Sequence, residues 1–242
     1  MNSHDILKTT STNKNKKRED SRMGKLIVIE GLDGSGKATQ ANLLFAYLQE
    51  NGRAVRKVSF PDYESNSSAL VKMYLAGEFG SHPDDVNAYA ASSFYAVDRY
   101  ASFKKNWVQD WKNGIVIADR YTTSNAIHQC SKLDKGEWNK YLDWLFHYEY
   151  ELLGIPRPNI VIYLRVDPSV SQKLLEERYH GDMSKEDIHE KDQEYLSRCQ
   201  KAAGYCAEKL GWRIVECTRN GSMRSIENIS EEIKHLANGA IG

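Results

Sequence analysis

The chain has no long apolar run, no Cys-x-x-Cys spacing and no excess of charge of either sign. Each absence removes a class of protein. No apolar stretch approaches the roughly 20 residues that a membrane span needs, and no signal-peptide pattern opens the sequence. The four cysteines, Cys130, Cys199, Cys206 and Cys217, read as reduced, separate residues rather than a disulfide or zinc set. Lys plus Arg and Asp plus Glu stand at 33 each, which leaves no net field to draw in nucleic acid or a membrane surface. There is no internal repeat. The expectation is a soluble, cytoplasmic protein whose 242 residues suffice for one α/β domain, or at most two small ones.

What the sequence does have is one stretch around which the rest is arranged. Leu26 to Ile29 is an apolar run with the character of a buried strand, a glycine-rich turn follows, and Ala41 to Leu48 has helical apolar spacing. Gly31, Gly36 and Lys37 lie at the G-x-x-x-x-G-K spacing of a phosphate-binding loop. Glycines let successive backbone N–H groups point at one place, and the helix N-terminus adds partial positive charge there. The lysine brings an ammonium to the outer phosphates. The position after Lys37 is Ala38, where a hydroxyl usually meets magnesium; Thr39 follows one place later.

Residues 1–22 are polar and without period, and read as a disordered extension. The basic cluster Lys14, Lys16, Lys17 and Arg18 is explained by a solvated tail more simply than by a nucleic-acid or sorting role. Beyond Asn51-Gly52, residues 54–58 form a second strand that runs into Phe60-Pro61-Asp62-Tyr63. In open α/β sheets ligands bind beyond the carboxyl ends of the strands, which places Pro61 and Tyr63 near the site. A helical stretch from about Asp85 to Trp111 contains Asp98-Arg99; alone, that pair reads as a surface ion pair on a core helix. Residues 115–118 form a third strand, ending at Asp119-Arg120-Tyr121. A carboxylate there can hold magnesium through water or orient a cation, and an arginine can fork onto a phosphate. Thr122 to Asn125 read as helix caps, with Ser124 and His128 four apart on one face. An aromatic-rich helix at 137–153 and a fourth strand at 159–164 follow. A helix opens at Asp167-Pro168, and a polar, interrupted flap at Glu176 to Lys185 comes after it. A helix from Asp187 to Leu210, a fifth strand at 212–215 and a helix near 224–237 complete the pattern. Asp187 and Glu190, three apart, can face one side of their helix. Strands alternating with helices predict a single parallel sheet covered on both faces.

The motifs Glu30 to Lys37, Phe60-Pro61 with Tyr63, Asp98-Arg99, Asp119-Arg120-Tyr121 with Ser124, Pro158 to Leu164 and Asp187 to Leu196 occur in an order that resembles the thymidylate kinases. These belong to the P-loop nucleoside monophosphate kinases. The resemblance spans nearly everything from Met23 onward. It implies a three-layer P-loop kinase fold with a five-stranded parallel sheet, a mobile lid at 178–187 and transfer of the γ-phosphoryl of ATP to dTMP with Mg2+. Gly31, Asp33, Gly34, Ser35, Gly36, Lys37, Ala38 and Thr39 would hold the ATP phosphates, and Asp33 would also orient the acceptor. Lys37, Asp33, Arg120 and Arg178 would carry catalysis, and Asp119 and Thr39 would serve the metal. Tyr63, Tyr95, Arg99, Asn125, Gln129, Asp187 and Glu190 would hold the substrate. Family members are usually homodimers. His128 stands where many members have a tyrosine crowding the ribose 2′ position, Tyr95 stands in place of the usual Phe, and the lid is poor in arginine, leaving Arg178 or Lys185. A related kinase with another acceptor and a non-catalytic ATP-binding protein are the alternative readings.

Overall fold

The computed structural model describes residues 24–178, 188–189 and 192–242. Five parallel strands form the sheet: β1 (Lys25–Gly31), β2 (Val55–Ser59), β3 (Ile115–Asp119), β4 (Ile160–Arg165) and β5 (Arg213–Glu216), in the order β2-β3-β1-β4-β5. β1 pairs with β3 from Lys25 opposite Ile115 to Ile29 opposite Asp119, and with β4 from Ile27 opposite Ile160 to Gly31 opposite Leu164. The carboxyl ends of β1 and β3 therefore finish side by side, next to where β1 turns into the glycine loop.

The central strand is apolar on both faces because both are covered. Ile27 and Ile29 point to one layer, with Leu44 and Leu48 of α1 (Lys37–Glu50) and Ile229 and Ile233 of α9 (Ile226–Ile241). Leu26 and Val28 point to the other, against Phe60, Phe103, Trp107 and Tyr121. Beside that second layer, Ala126 and Cys130 of α5 (Thr122–Cys130), Tyr141 and Leu145 of α6 (Trp138–Phe146) and Cys199 and Ala203 of α8 (Gln193–Lys209) close a further core around Tyr163. The remaining helices are α2 (Ala69–Leu75), α3 (Ala88–Ser102), α4 (Val108–Asn113) and α7 (Pro168–Arg178). Among the described residues, no helix is long and apolar enough to cross a membrane. All four cysteines are buried and unpaired by disulfides.

Several local expectations are corrected. The stretch expected as one helix from 85 to 111 starts at Ala88, where the Asn87 side chain accepts from the Tyr89 and Ala90 N–H groups. It passes through a π-helical turn, Phe103–Trp107, before α4. A second π-helical turn, His147–Leu152, extends α6. The helix expected from Asp187 begins at Gln193 instead, because Asp192 caps it by accepting from the Tyr195 N–H. The short hairpin of β6 (Thr218–Arg219) and β7 (Ser222–Met223) was not expected. The N-terminal extension 1–22, the lid at 178–187 as a structural unit, and Lys185, Asp187 and Glu190 lie outside the described residues, as does the side chain of Arg178.

Candidate active site

The glycine loop is shaped by backbone freedom at two positions. Gly34 and Gly36 have φ of 75° and 79°, a left-handed conformation that costs glycine little. A Cβ on Gly34 would also fall 2.6 Å from the Ser171 carbonyl oxygen of α7. Gly36 is the N-cap of α1, so no side chain caps that helix, and its first turn carries no acidic residue. A 14-residue helix thus opens with uncapped N–H groups beside the loop, the arrangement that receives an anion. Ser35 Oγ is buried with no hydrogen-bond partner among the described residues. A buried hydroxyl left unpaired is costly, and a ligand that uses it removes the cost.

Lys37 folds back over this loop. Its Nζ donates to the Leu32 carbonyl at 2.8 Å and lies 3.8 Å from Asp33. Burial, with Arg120 nearby, pulls its pKa down to about 8, against the opposing pull of Asp33, Asp119 and Glu30. Arg120 follows β3 directly and has φ of 65°, rare for a residue with a side chain. Its own N–H donates to Ile29 at 3.1 Å, which pins that turn against the end of β1. The turn sends the guanidinium into an ion pair with Asp33 and within 3.9 Å of Glu30. Burial opposes the charge on both partners, yet the pairing wins. Arg120, facing Asp33, Glu30 and Asp119, is pushed up, and Asp33, facing Arg120 and Lys37, is held far below the usual carboxylate range.

Two buried carboxylates organise α5 beneath these groups, and neither was singled out from the sequence as a site residue. Glu30 is fully buried and accepts from the Gly31 N–H at 2.9 Å, Thr123 Oγ1 at 2.6 Å and Ser124 Oγ at 2.8 Å. Glu149 is also fully buried and accepts from Arg99 Nε at 2.7 Å and Nη2 at 2.5 Å, a forked pair. Thr122 Oγ1 at 2.9 Å and Asn125 Nδ2 at 3.1 Å complete its shell. Thr122 to Asn125 are therefore not the caps they resembled: Tyr121 occupies the N-cap position without a side-chain bond, and their side chains reach for carboxylates. One signal for Glu149 was available. It lies at helical spacing from Trp138, Leu142 and Leu145, so a carboxylate sits on the apolar face.

Asp98 and Arg99 do not form the surface pair expected of them; both are buried. Asp98 accepts from the Asp62 N–H at 2.8 Å and Ser67 Oγ at 2.6 Å, which ties the Phe60-Pro61 loop to α3. The Phe60–Pro61 peptide is cis. That loop presents Tyr63, half-exposed, at the mouth of the site.

Above these buried carboxylates lies one cleft of about 1140 Å³. The structure brings Asp33, Gly34, Ser35, Gly36, Lys37, Ala38 and Thr39 together at one end, with Asp119 and Arg120 above them. Tyr63, Tyr95, Arg99, Asn125 and Gln129 line the rest of it. Gly31 is buried at the end of β1, outside the lining. Gln129 is fully buried, and neither its Nε2 nor its Oε1 has a partner among the described residues. His128 and His189 also line the cleft, their rings stacked at 5.6 Å and 15°.

Burial drives the pKa of His128 down to about 3 and that of His189 well below its ordinary value. Both rings stay neutral in the fold, whereas the unfolded chain takes up protons below about pH 6.5. The unfolded state then binds more protons, so stability falls as pH drops from about 6.5 toward 3. For His128 alone the loss is about 2 kcal/mol by pH 5. Calorimetric scans between pH 7.5 and 5 are expected to show a falling Tm, with a shallower slope in His128→Phe. An unchanged slope in that variant contradicts the assignment.

A family model described as thymidylate kinase matches residues 29–233. A thymidylate kinase from Mycobacterium tuberculosis is 32% identical over 181 residues, covering 72% of this chain and 81% of that protein. Thymidylate kinases from Danio rerio and Plasmodium falciparum are 26% and 27% identical, over 91% and 89% of this chain and 92% and 90% of their own. The solved thymidylate kinase of Candida albicans, at 22% identity, superposes with a TM-score of 0.66 over 91% of this chain and 94% of that one, and so shares its fold. With the glycine loop, its lysine and the cleft beyond them, these matches lead to one conclusion: the chain belongs to the thymidylate kinase family, the ATP-using P-loop kinases of nucleotides.

Proposed function

We propose that the cleft holds ATP and dTMP end to end and moves the γ-phosphoryl of ATP onto the 5′-phosphate oxygen of dTMP, releasing ADP and dTDP. The bond from the γ-phosphorus to the β–γ bridging oxygen breaks, and a bond from that phosphorus to the acceptor oxygen forms. The attacking group is already a phosphate oxygen, so no strong base is required. The chain's work is alignment and charge neutralisation. Lys37 exchanges the Leu32 carbonyl for phosphate oxygens, and the loop from Gly31 to Thr39 with the start of α1 cradles the donor. Asp33 holds Arg120 toward the reacting phosphates. Arg178, at the end of α7, adds a cation from the lid side, and closure of the 178–187 segment keeps water from taking the phosphoryl group.

Mg2+ neutralises charge on the phosphate oxygens when bound. The chain's donors suit it: Asp119, at the end of β3, and Thr39, in the first turn of α1, line the cleft and would offer it oxygen atoms. A cation that keeps its waters and leans on substrate phosphates needs few protein ligands. Asp187 and Glu190 complete the acceptor end. The protein works in the cytoplasm as a homodimer built on residues 23–242, with 1–22 as an extension; four unpaired cysteines agree with a reducing compartment.

The observation that carries the acceptor assignment is Gln129. A buried amide with four unused hydrogen-bonding positions, in a cleft that also holds Arg99, Asn125 and the Tyr95 ring, suits the polar edge and flat face of a base. Gln129→Leu is expected to raise the KM for dTMP roughly tenfold while leaving the KM for ATP within twofold, since one or two neutral hydrogen bonds are lost. The same change is expected to hold or raise Tm, because it removes unpaired buried polar atoms. Steady-state kinetics with each substrate varied in turn decide this. Equal KM values for dTMP in both proteins remove Gln129 from the acceptor site.

A further inference from the structure

Glu149 is fully buried and takes no part in lining the cleft, yet two cleft residues hang on it. Its Oε2 accepts from Arg99 Nε at 2.7 Å and Thr122 Oγ1 at 2.9 Å, and its Oε1 from Arg99 Nη2 at 2.5 Å and Asn125 Nδ2 at 3.1 Å. Four donors fill the roughly four acceptor positions of a carboxylate. The Asn125 amide has one workable orientation. Its Nδ2 also donates to the Ser92 carbonyl at 3.2 Å. Both partners only accept, so a turned amide would set its oxygen against two others. Asn125 Oδ1 is left with no hydrogen-bond partner among the described residues, in a residue that lines the cleft. Arg99 is a donor at every nitrogen. It spends Nε and Nη2 on Glu149, which leaves Nη1 uncommitted among the described residues, and Arg99 lines the cleft as well.

Arg99 and Asn125 meet at one oxygen, Glu149 Oε1, so they are neighbours. One buried carboxylate thus fixes a donor beside an acceptor. The edge that matches them is a carbonyl beside an N–H, the imide edge of thymine or uracil. Cytosine carries an amine and a bare ring nitrogen at those positions, reversed at both. Resting on the acceptor assignment above, we infer that Glu149 is a positioning residue for base choice. Acting through Arg99 and Asn125, it sets the cleft for an imide-bearing pyrimidine nucleotide and against cytosine. Glutamine in its place has the same shape but turns one acceptor into a donor. The four groups around it then cannot all be satisfied, and the polarity of the wall is no longer fixed.

The test compares dTMP with dCMP in wild type and Glu149→Gln. Wild type is expected to favour dTMP by roughly 10²-fold or more in kcat/KM, the size of two buried groups left unpaired. In the variant that ratio is expected to fall by about tenfold or more, through a higher KM for dTMP, with the KM for ATP within roughly twofold. A merely structural role lowers turnover of both acceptors together and leaves the ratio unchanged, and that result overturns the inference. So does a wild type that uses dCMP as readily as dTMP. Nitrogen NMR of the wild-type protein labelled at asparagine needs no variant. Both Nδ2 protons of Asn125 are expected to exchange slowly with water, in the free protein and with dTMP bound. Fast exchange of either proton also overturns the inference. Failure of the proposed reaction appears separately, as no turnover of dTMP by wild type.

Discussion

Replacing Lys37 by alanine lowers kcat by about 10²–10³-fold and leaves the fold intact. The ammonium is the mobile cation of the loop, and loss of one well-placed charge-stabilising donor costs on that order in other enzymes. The structure explains why folding survives. Burial already works against this charge, whose pKa is drawn down to about 8, and Asp33 keeps its ion pair with Arg120 when Lys37 is gone. What is lost is the bond to the Leu32 carbonyl and the longer contact with Asp33. Circular dichroism and Tm are expected near wild type while ADP formation collapses. Lys37→Arg does not restore the rate, since a planar fork is not a compact ammonium. Activity within threefold of wild type in Lys37→Ala removes the phosphate-binding role of the loop.

The second large effect is on stability. Glu149→Ala leaves the Arg99 guanidinium buried without its forked partner and takes the acceptor from Thr122 and Asn125. Breaking a buried pair from one side costs about 3–5 kcal/mol, a large share of the 5–15 kcal/mol that holds a typical domain together. For a domain of this size each kcal/mol shifts Tm by roughly 2–4 °C, so a fall of about 6–20 °C is expected in calorimetry. Replacing both partners together, as Arg99→Met with Glu149→Met, recovers much of that stability, because no orphan charge remains. The double variant still binds dTMP poorly if Arg99 serves the base. A loss under 1 kcal/mol in Glu149→Ala means that the pair is not the anchor of α3 to the helix carrying Glu149.

The two results separate what was legible in the sequence from what was not. The strand, glycine loop and helix around Lys37 are written locally, within residues 25–48, and spacing alone shows them. The sheet follows from the same kind of signal, since each strand is a short apolar run between polar turns. Asp98-Arg99 misled because adjacency in sequence suggests a pair, while the partners that matter lie 31 to 50 residues away, at Ser67, Asp62 and Glu149. Thr122 to Asn125 looked like caps for the same reason. Hydroxyls at a helix start normally serve the backbone, but here β1 and the helix after α5 bring Glu30 and Glu149 within reach. The start of α8 was misplaced because Asp192, the cap, lies inside a run of charges that looks uniformly helical.

Phosphoryl transfer to dTMP in this cleft is tested most directly by one assay. ADP formation is coupled to a spectroscopic signal with ATP, Mg2+ and, in turn, dTMP, dUMP, dCMP, UMP and thymidine. Acceptor-dependent ADP is expected with dTMP at a rate well above that with any other member of the panel. ADP formed fastest with another acceptor, or no acceptor-dependent ADP from folded protein that binds ATP, contradicts it.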